Sequence, residues 1–409
     1  MPKFSWTSVL IAPRQLRERT HRWALRVLYA LVMIALLAPF IANDKPLWCR
    51  YEGQWYAPAF REVAVQLKLT QWPTDQLNRR WYTLALEQEL WPLIPFGPDQ
   101  KDLYSGGFRA PLSRTKGKSW QFTHWLGTDN LGRDVLSGLI WGTRVSLMIG
   151  LGATAIAALL GIFMGSLAGF WGNTGWQMTR ARFMGACVGF TWSAFWAFVS
   201  GIHFAWNQQW GIYIMGGMLG VSLFTWLGGK IGAWLFPTSR DMSIPLDDFV
   251  MRTIETMNAI PGLLLLLSIV ALVKNATLWG IILIIGVLSW TTIARYTRGE
   301  LMRIRQMEYI QAARVRGLRA VRIVLRHALP NAMGPVIVSL AFGVSGAILL
   351  ESSLSFLGIG IPSDWMTWGK LLSFSRMTTA AWWLAVFPGL AIFITVTAFN
   401  LLGEAVAKE

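Results

Sequence analysis

Eight stretches of the chain are each close to 20 residues long and carry few or no charges, near 24–41, 145–170, 184–205, 209–236, 255–273, 277–294, 331–350 and 381–402. An α-helix advances about 1.5 Å per residue, so roughly 20 apolar residues cross the hydrocarbon core of a bilayer. In lipid each backbone N–H and C=O must find its partner inside the segment, which leaves helices as the economical way across. These stretches predict an all-α polytopic membrane protein with about eight transmembrane helices. With 54% hydrophobic and 14% charged residues over 409 positions, a soluble multidomain chain is excluded. Among 24 tryptophans, Trp81, Trp91, Trp171, Trp176, Trp206 and Trp210 lie near the ends of apolar runs, where an amphipathic ring suits the headgroup layer. The first run ends in Asn43-Asp44-Lys45 rather than in small residues, so it reads as a retained anchor and not a cleaved leader.

The net charge of +16 is spread over short segments between the apolar runs, a pattern for membrane orientation rather than for nucleic acid, and no nucleic-acid partner is expected. Short basic flanks stay on the cytoplasmic side. Lys3, Arg14, Arg17, Arg19, Arg22 and Arg26 place the N-terminus inside, so 1–41 is a cytoplasmic tail plus first helix. Residues 42–134 then form an external segment with 12 basic and 10 acidic residues. Residues 135–405 form the transmembrane domain, with membrane lipid as its surroundings. Inside it a hydrophobic hairpin, 183–238, turns through uncharged Trp206–Trp210 and is flanked by Arg180, Arg182, Lys230 and Arg240. The loop 295–330 carries nine arginines and no lysine, which makes it cytoplasmic. The even number of crossings leaves both termini inside.

In that loop Leu318, Val321 and Leu325 recur at helical spacing beside Arg319, Arg322 and Arg326, the pattern of an amphipathic helix on a membrane or a partner. Glu308-Tyr309-Ile310-Gln311-Ala312-Ala313 precedes it, and Gly317 is placed to turn the chain between two short helices. Leu329-Pro330 suits the start of the next span. By charge and periodicity alone the loop is equally a positive-inside anchor. Gly161 with Gly165, and Gly216 with Gly220, have the spacing of close helix contacts, so the hairpin reads as a packing element or, alternatively, as a regulatory one.

Catalytic chemistry is not legible. The chain has no phosphate-cradling G-x-x-x-x-G-K-[ST] loop, no zinc-binding H-E-x-x-H, four histidines and two cysteines, so no cofactor or metal is expected on it. Asp129, Arg133 and Asp134 pair charges at the start of a span, fixing that loop or touching solute. Glu351 near the end of a span either marks a pathway or lies at the interface bonding backbone amides.

Gln311-Ala312-Ala313, three residues, Gly317 and then Leu329-Pro330 together resemble the EAA loop of ABC-importer permeases. The resemblance extends to His124–Asp134, Glu351–Gly360, Trp368-Gly369-Lys370, Pro388–Ile392 and Phe399–Gly403, which are similar to the oligopeptide, dipeptide and nickel branch and its C-type subunit. Ile41–Leu47, Arg50-Tyr51 and Trp55-Tyr56 are similar to the subgroup for oligopeptides and the antibiotic microcin C. The departures are Gln311, where the family has glutamate, His327, where it has isoleucine, and the extra runs between 176 and 245.

The resemblance implies a type I ABC-importer permease fold in the inner membrane and half of a translocation pathway for peptides or peptide-like solutes. It implies ABC ATPase subunits that bind ATP and magnesium, a second permease subunit and an external solute-binding protein. Glu308, Gln311, Ala312, Ala313, Gly317, Leu329 and Pro330 would then couple to the ATPase. The alternative from the residues alone is a membrane receptor that senses ligand through 42–134 and recruits a cytoplasmic partner through its arginine-rich loop.

Overall fold

The structure is a computed structural model and describes residues 19–66, 68–73, 81, 84, 86–101, 107–114, 122–173, 175, 177–204, 210–236, 241–273, 277–359 and 365–407; for 19–20, 194–204, 210–215 and 218 it describes backbone alone. Trp176, Trp206, Arg240 and Gly360 lie outside the described residues. The chain divides into two compact units, one of Met1–Ile162, Ile260–Tyr296 and Pro330–Glu409, the other of Phe163–Ala259 and Thr297–Leu329.

In the first unit, helix α1 (Arg19–Ile41) packs on α12 (Trp383–Ala407). Between α1 and the next long helix lie β1 (Trp48–Tyr51), β2 (Gln54–Tyr56) and β3 (Gln88–Leu90), antiparallel in the order β2-β1-β3, with α2 (Pro58–Gln66) beside them. A second ladder joins β4 (Ser113–Arg114) to β5 (Thr123–His124). These strands add short β ladders to a fold that is otherwise helical. Helices α3 (Val135–Ser166), α7 (Gly262–Leu272), α8 (Leu278–Ile304) and α11 (Leu329–Phe356) enclose a core of Ile149, Ala153, Leu266, Ile281, Ile285, Ala347 and Leu354. Gly161 lets α3 and α8 meet backbone to side chain: a Cβ built there would lie 2.7 Å from that of Ile293.

Five described helices are long and apolar enough to cross a membrane, six if α6 (Leu246–Ala259) and α7 form one broken span. The stretch 255–273, expected as one helix, is interrupted at Ile260-Pro261. Proline offers no N–H and disfavours helical backbone in the residue before it, a constraint that hydropathy does not register. The remaining two stretches are the helices α4 (Arg180–Phe204) and α5 (Trp210–Leu235) of the second unit.

α4 and α5 pack as an antiparallel hairpin, with Ala181 opposite Gly232, Gly185 opposite Gly228 and Gly189 opposite Phe224. A Cβ on Gly185 would stand 2.2 Å from the Gly228 carbonyl oxygen, so the seam tolerates only hydrogen there. The expected pair Gly216 and Gly220 does not form this seam, since no heavy atom lies within 4 Å of a Cβ at either position. The feet of the hairpin are clamped by β6 (Gln177–Thr179) and β7 (Asp241–Ser243), paired Gln177 to Ser243 and Thr179 to Asp241.

Candidate functional site

The arginine-rich loop folds as α9 (Glu308–Val315), a glycine turn, and α10 (Ala320–Ile323), which runs through a π turn (Val324–Ala328) into α11. Glu308 sits in the first turn of α9, where its charge complements the helix dipole. Ile310 is fully buried and anchors α9 to its unit. At the other end the Gly317 N–H donates to the Arg314 carbonyl at 2.9 Å and the Leu318 N–H donates to the Ala313 carbonyl at 3.2 Å. That pair of bonds is the Schellman termination, which needs a left-handed residue, and Gly317 supplies it with φ +74°. Space is not the constraint: nothing lies within 4 Å of a Cβ built at Gly317.

Gln311 and Ala312 are exposed and Ala313 is half-buried; the Gln311 amide donates to the Gln306 carbonyl at 3.2 Å. Val315, Val321 and Leu325 stand in solvent, 88%, 57% and 62% exposed, among exposed Arg316, Arg319, Arg322 and Arg326. The stripe of Leu318, Val321 and Leu325 thus faces away from its own unit, as expected of a helix laid on a membrane or a partner, while Ile323, Val324 and Ala328 are buried. Beyond this stripe the π turn, in which the Leu329 N–H donates to the Val324 carbonyl, adds a residue before α11. Pro330 stands in the first turn of α11, which continues without a break from α10 through the π turn.

The same unit braces α9 from behind. The Arg314 guanidinium lies 5.0 Å from the ring centre of Phe170, in the π turn Leu167–Trp171. A Cβ on Gly169 would come within 2.6 Å of the Arg298 carbonyl, so that turn presses directly on the end of α8. Arg298 forms a two-pronged pair with Asp247, its Nη2 at 2.6 Å from Oδ2. The Asn173 side chain accepts the N–H groups of Asp247 and Asp248 and so caps α6.

In the first unit, Asp129, Arg133 and Asp134 come together with His124. Asp129 accepts from Arg133 Nε at 2.6 Å and from the Leu131 and Arg133 N–H groups. One Asp134 oxygen caps α3 by accepting the Ser137 N–H at 2.7 Å; the other meets His124 Nδ1 at 2.9 Å. All four side chains are buried, and the His124 ring stacks on Phe96. Glu351 is fully buried in α11, where it accepts from the Ser355 hydroxyl at 2.8 Å and is also bonded by Ser352 and Thr367. Its partners among the described residues are therefore hydroxyls, not the backbone amides expected. No group of three or more His, Cys, Asp or Glu among the described residues is arranged to hold a metal ion.

Two cavities open in this unit. One, of about 810 Å³, lies between α3, α8 and α11, lined by glycines and hydroxyls such as Ser289, Thr292, Gly334, Ser339 and Gly346, with no charged residue. The other, of about 710 Å³, lies where the segment after α1 meets α3 and α8, and its wall includes Asp44, Lys45, Glu62, Arg144 and Trp279. Sequence reasoning passed over Arg144. The signal was present, since Arg144 is the only charge in α3 and an ionisable residue inside a span points to function.

Residues 228–408 match the family of binding-protein-dependent transport system inner membrane components, and the α9–Gly317–α10 segment lies within that match. The chain is thereby similar to inner-membrane permease components of ABC importers. Over most of its length it is similar to permeases of the oligopeptide and dipeptide branch. It is 27% identical over 401 residues to the inner membrane ABC transporter permease protein YejE of Escherichia coli (strain K12), covering 95% of this chain and 92% of that one. It is 29% identical to the dipeptide transport system permease protein DppC of Bacillus subtilis (strain 168), with 69% and 66% covered. The glutathione transport system permease protein GsiD of Pectobacterium atrosepticum is 28% identical, with 69% and 70% covered. These matches give the receptor alternative no support.

Proposed function

We propose that this chain is a permease subunit that forms half of the translocation pathway of an ATP-driven importer of peptides or peptide-like solutes. Its expected partners are a pair of ABC ATPases that bind ATP and magnesium, a second permease, and an external solute-binding protein. Both termini and the loop 295–330 face the cytoplasm, and 42–134 faces outward. The observation that carries the reading is the surface made by α9, Gly317 and α10, where Val315, Val321 and Leu325 are exposed within a rim of arginines. Apolar side chains so rimmed mark a protein docking surface, and the flat faces of Ala312 and Ala313 allow another backbone to approach.

In this reading the ATPase pair closes on ATP and displaces α9, and the spans follow between inward-facing and outward-facing states. Glu308, Gln311, Ala312, Ala313, Gly317, Leu329 and Pro330 serve this coupling. Asp129, Arg133, Asp134 and Glu351 hold the ends of α3 and α11 in place rather than touch solute. The neutral cavity of about 810 Å³ is this subunit's share of the pathway. The test is purification of the tagged chain in mild detergent, wild type and Gly317→Val. A left-handed β-branched residue costs about 1–2 kcal/mol, so the variant should insert normally yet hold the ATPase about tenfold less tightly. Undiminished association and transport by Gly317→Val would remove the docking assignment.

A further inference from the structure

The second cavity has a charge arrangement that structure-keeping does not account for. Of its charged residues, Lys45 and Glu62 neutralise each other in an ion pair, with the Lys45 ammonium 5.1 Å from the Trp72 ring centre. Asp99, a third acid on this wall, has an interaction of its own, which leaves Asp44 and Arg144. Neither forms an ion pair among the described residues, and the Arg144 guanidinium lies 5.8 Å from the Trp141 ring centre. Burial, opposed by nearby Lys45, raises the Asp44 pKa above the usual carboxylate range. A carboxylate half out of water and an arginine without a counter-ion, on one cavity wall, present one site for a cation and one for an anion.

The volume of about 710 Å³ is in the range of small-molecule sites, and Trp141, Trp279, Trp365 and Met148 supply apolar wall between the charges. Trp141, Arg144 and Met148 on α3, with Leu278 and Trp279 on α8, line this cavity; Thr154 and Ala157 on α3, with Leu288 to Tyr296 on α8, line the neutral one. At a rise of about 1.5 Å per residue, the two follow each other along the same helices with their α3 linings some 15 Å apart.

We propose that this charged cavity is a capture site for a short peptide with free ends, in which Asp44 receives the terminal ammonium and Arg144 the terminal carboxylate before the solute enters the neutral cavity. The proposal rests on the importer reading above and adds what that reading lacks, the chemical class of the bound end groups and the two residues that distinguish them.

The test uses the complete importer with its solute-binding protein in lipid vesicles, and radiolabelled trialanine in three forms: free-ended, N-acetylated and C-amidated. The binding protein is the same throughout, so its own preference cancels when variants are compared. Asp44→Asn should lower uptake of the free-ended peptide at least tenfold and abolish the advantage of a free N-terminus, leaving discrimination at the C-terminus. Arg144→Gln should do the converse, and Arg144→Lys should restore part of the C-terminal preference. Arg144 is exposed on its helix, so its two variants carry the test even where Asp44→Asn lowers the yield of complex. Equal losses for all three peptides, or no loss in any variant, would overturn the site while leaving the importer intact. A wild-type complex that moves no peptide with ATP would overturn the peptide-importer reading and the site with it.

Discussion

Asp129 shows how much one side chain holds at the entrance to α3. It accepts three hydrogen bonds, and its partner Arg133 is only 7% exposed, with its guanidinium 5.0 Å from the Phe374 ring centre. Truncating one member of a buried pair strands the other charge, which costs about 3–5 kcal/mol. Asp129→Ala should therefore lower the thermal-unfolding midpoint of the purified chain sharply, and Asp129→Asn, which keeps the shape and one acceptor, markedly less. Pairing of these charges at a span boundary was legible from their spacing. The participation of His124 was not, because it depends on β5 and on Phe96, 28 residues before that histidine. Gly127 is a similar case: at φ +82° a Cβ there would meet the Arg109 carbonyl at 2.5 Å, a contact across a loop that no local pattern announces.

Among the elements, the α4–α5 hairpin is the one whose seam was sought in the wrong place. Its existence followed from two apolar runs with basic feet. The seam did not, because Gly185, Gly189, Gly228 and Gly232 and the pair Gly216 and Gly220 have the same spacing, and only the antiparallel register decides which set meets. That register is checkable. A Cβ at Gly229 would lie 3.6 Å from that of Ala186, within the range a disulfide spans. In a Cys187→Ser background, Ala186→Cys with Gly229→Cys should cross-link on mild oxidation, whereas Ala186→Cys with Gly220→Cys should not. The coupling segment divides the same way: Gly317 was legible as the turn because glycine alone enters left-handed backbone cheaply. The π turn was missed because nothing in the residue pattern of 324–328 distinguishes an i→i−5 bond from an i→i−4 one.

For the whole molecule, the helical membrane architecture was readable from eight apolar stretches, since the demand that lipid makes on the backbone is the same for every chain. The segment 42–134 was not, because its short strands are fixed by pairings such as Trp48 with Leu90 that bridge 42 positions. The clamp of β6 on β7 makes a further prediction. Replacing 180–240 by Asn-Gly would join Thr179 to Asp241 by a two-residue turn suited to antiparallel strands. The shortened chain should still insert and retain α9 in place, as judged by co-purification of the ATPase; loss of that association would mean that the hairpin supports the coupling segment.

The same clamp sets an order of events at the ribosome. Thr179 and Asp241 are 62 positions apart, and at roughly 5–20 residues per second the second strand emerges about 3 to 12 s after the first. β6 is made before either helix, and α5 ends at Leu235, six positions ahead of Asp241, so β7 follows the completed second helix by only about 0.3 to 1.2 s. The glycine seam and the strand clamp therefore form almost together, and the register of the hairpin is set by both at once.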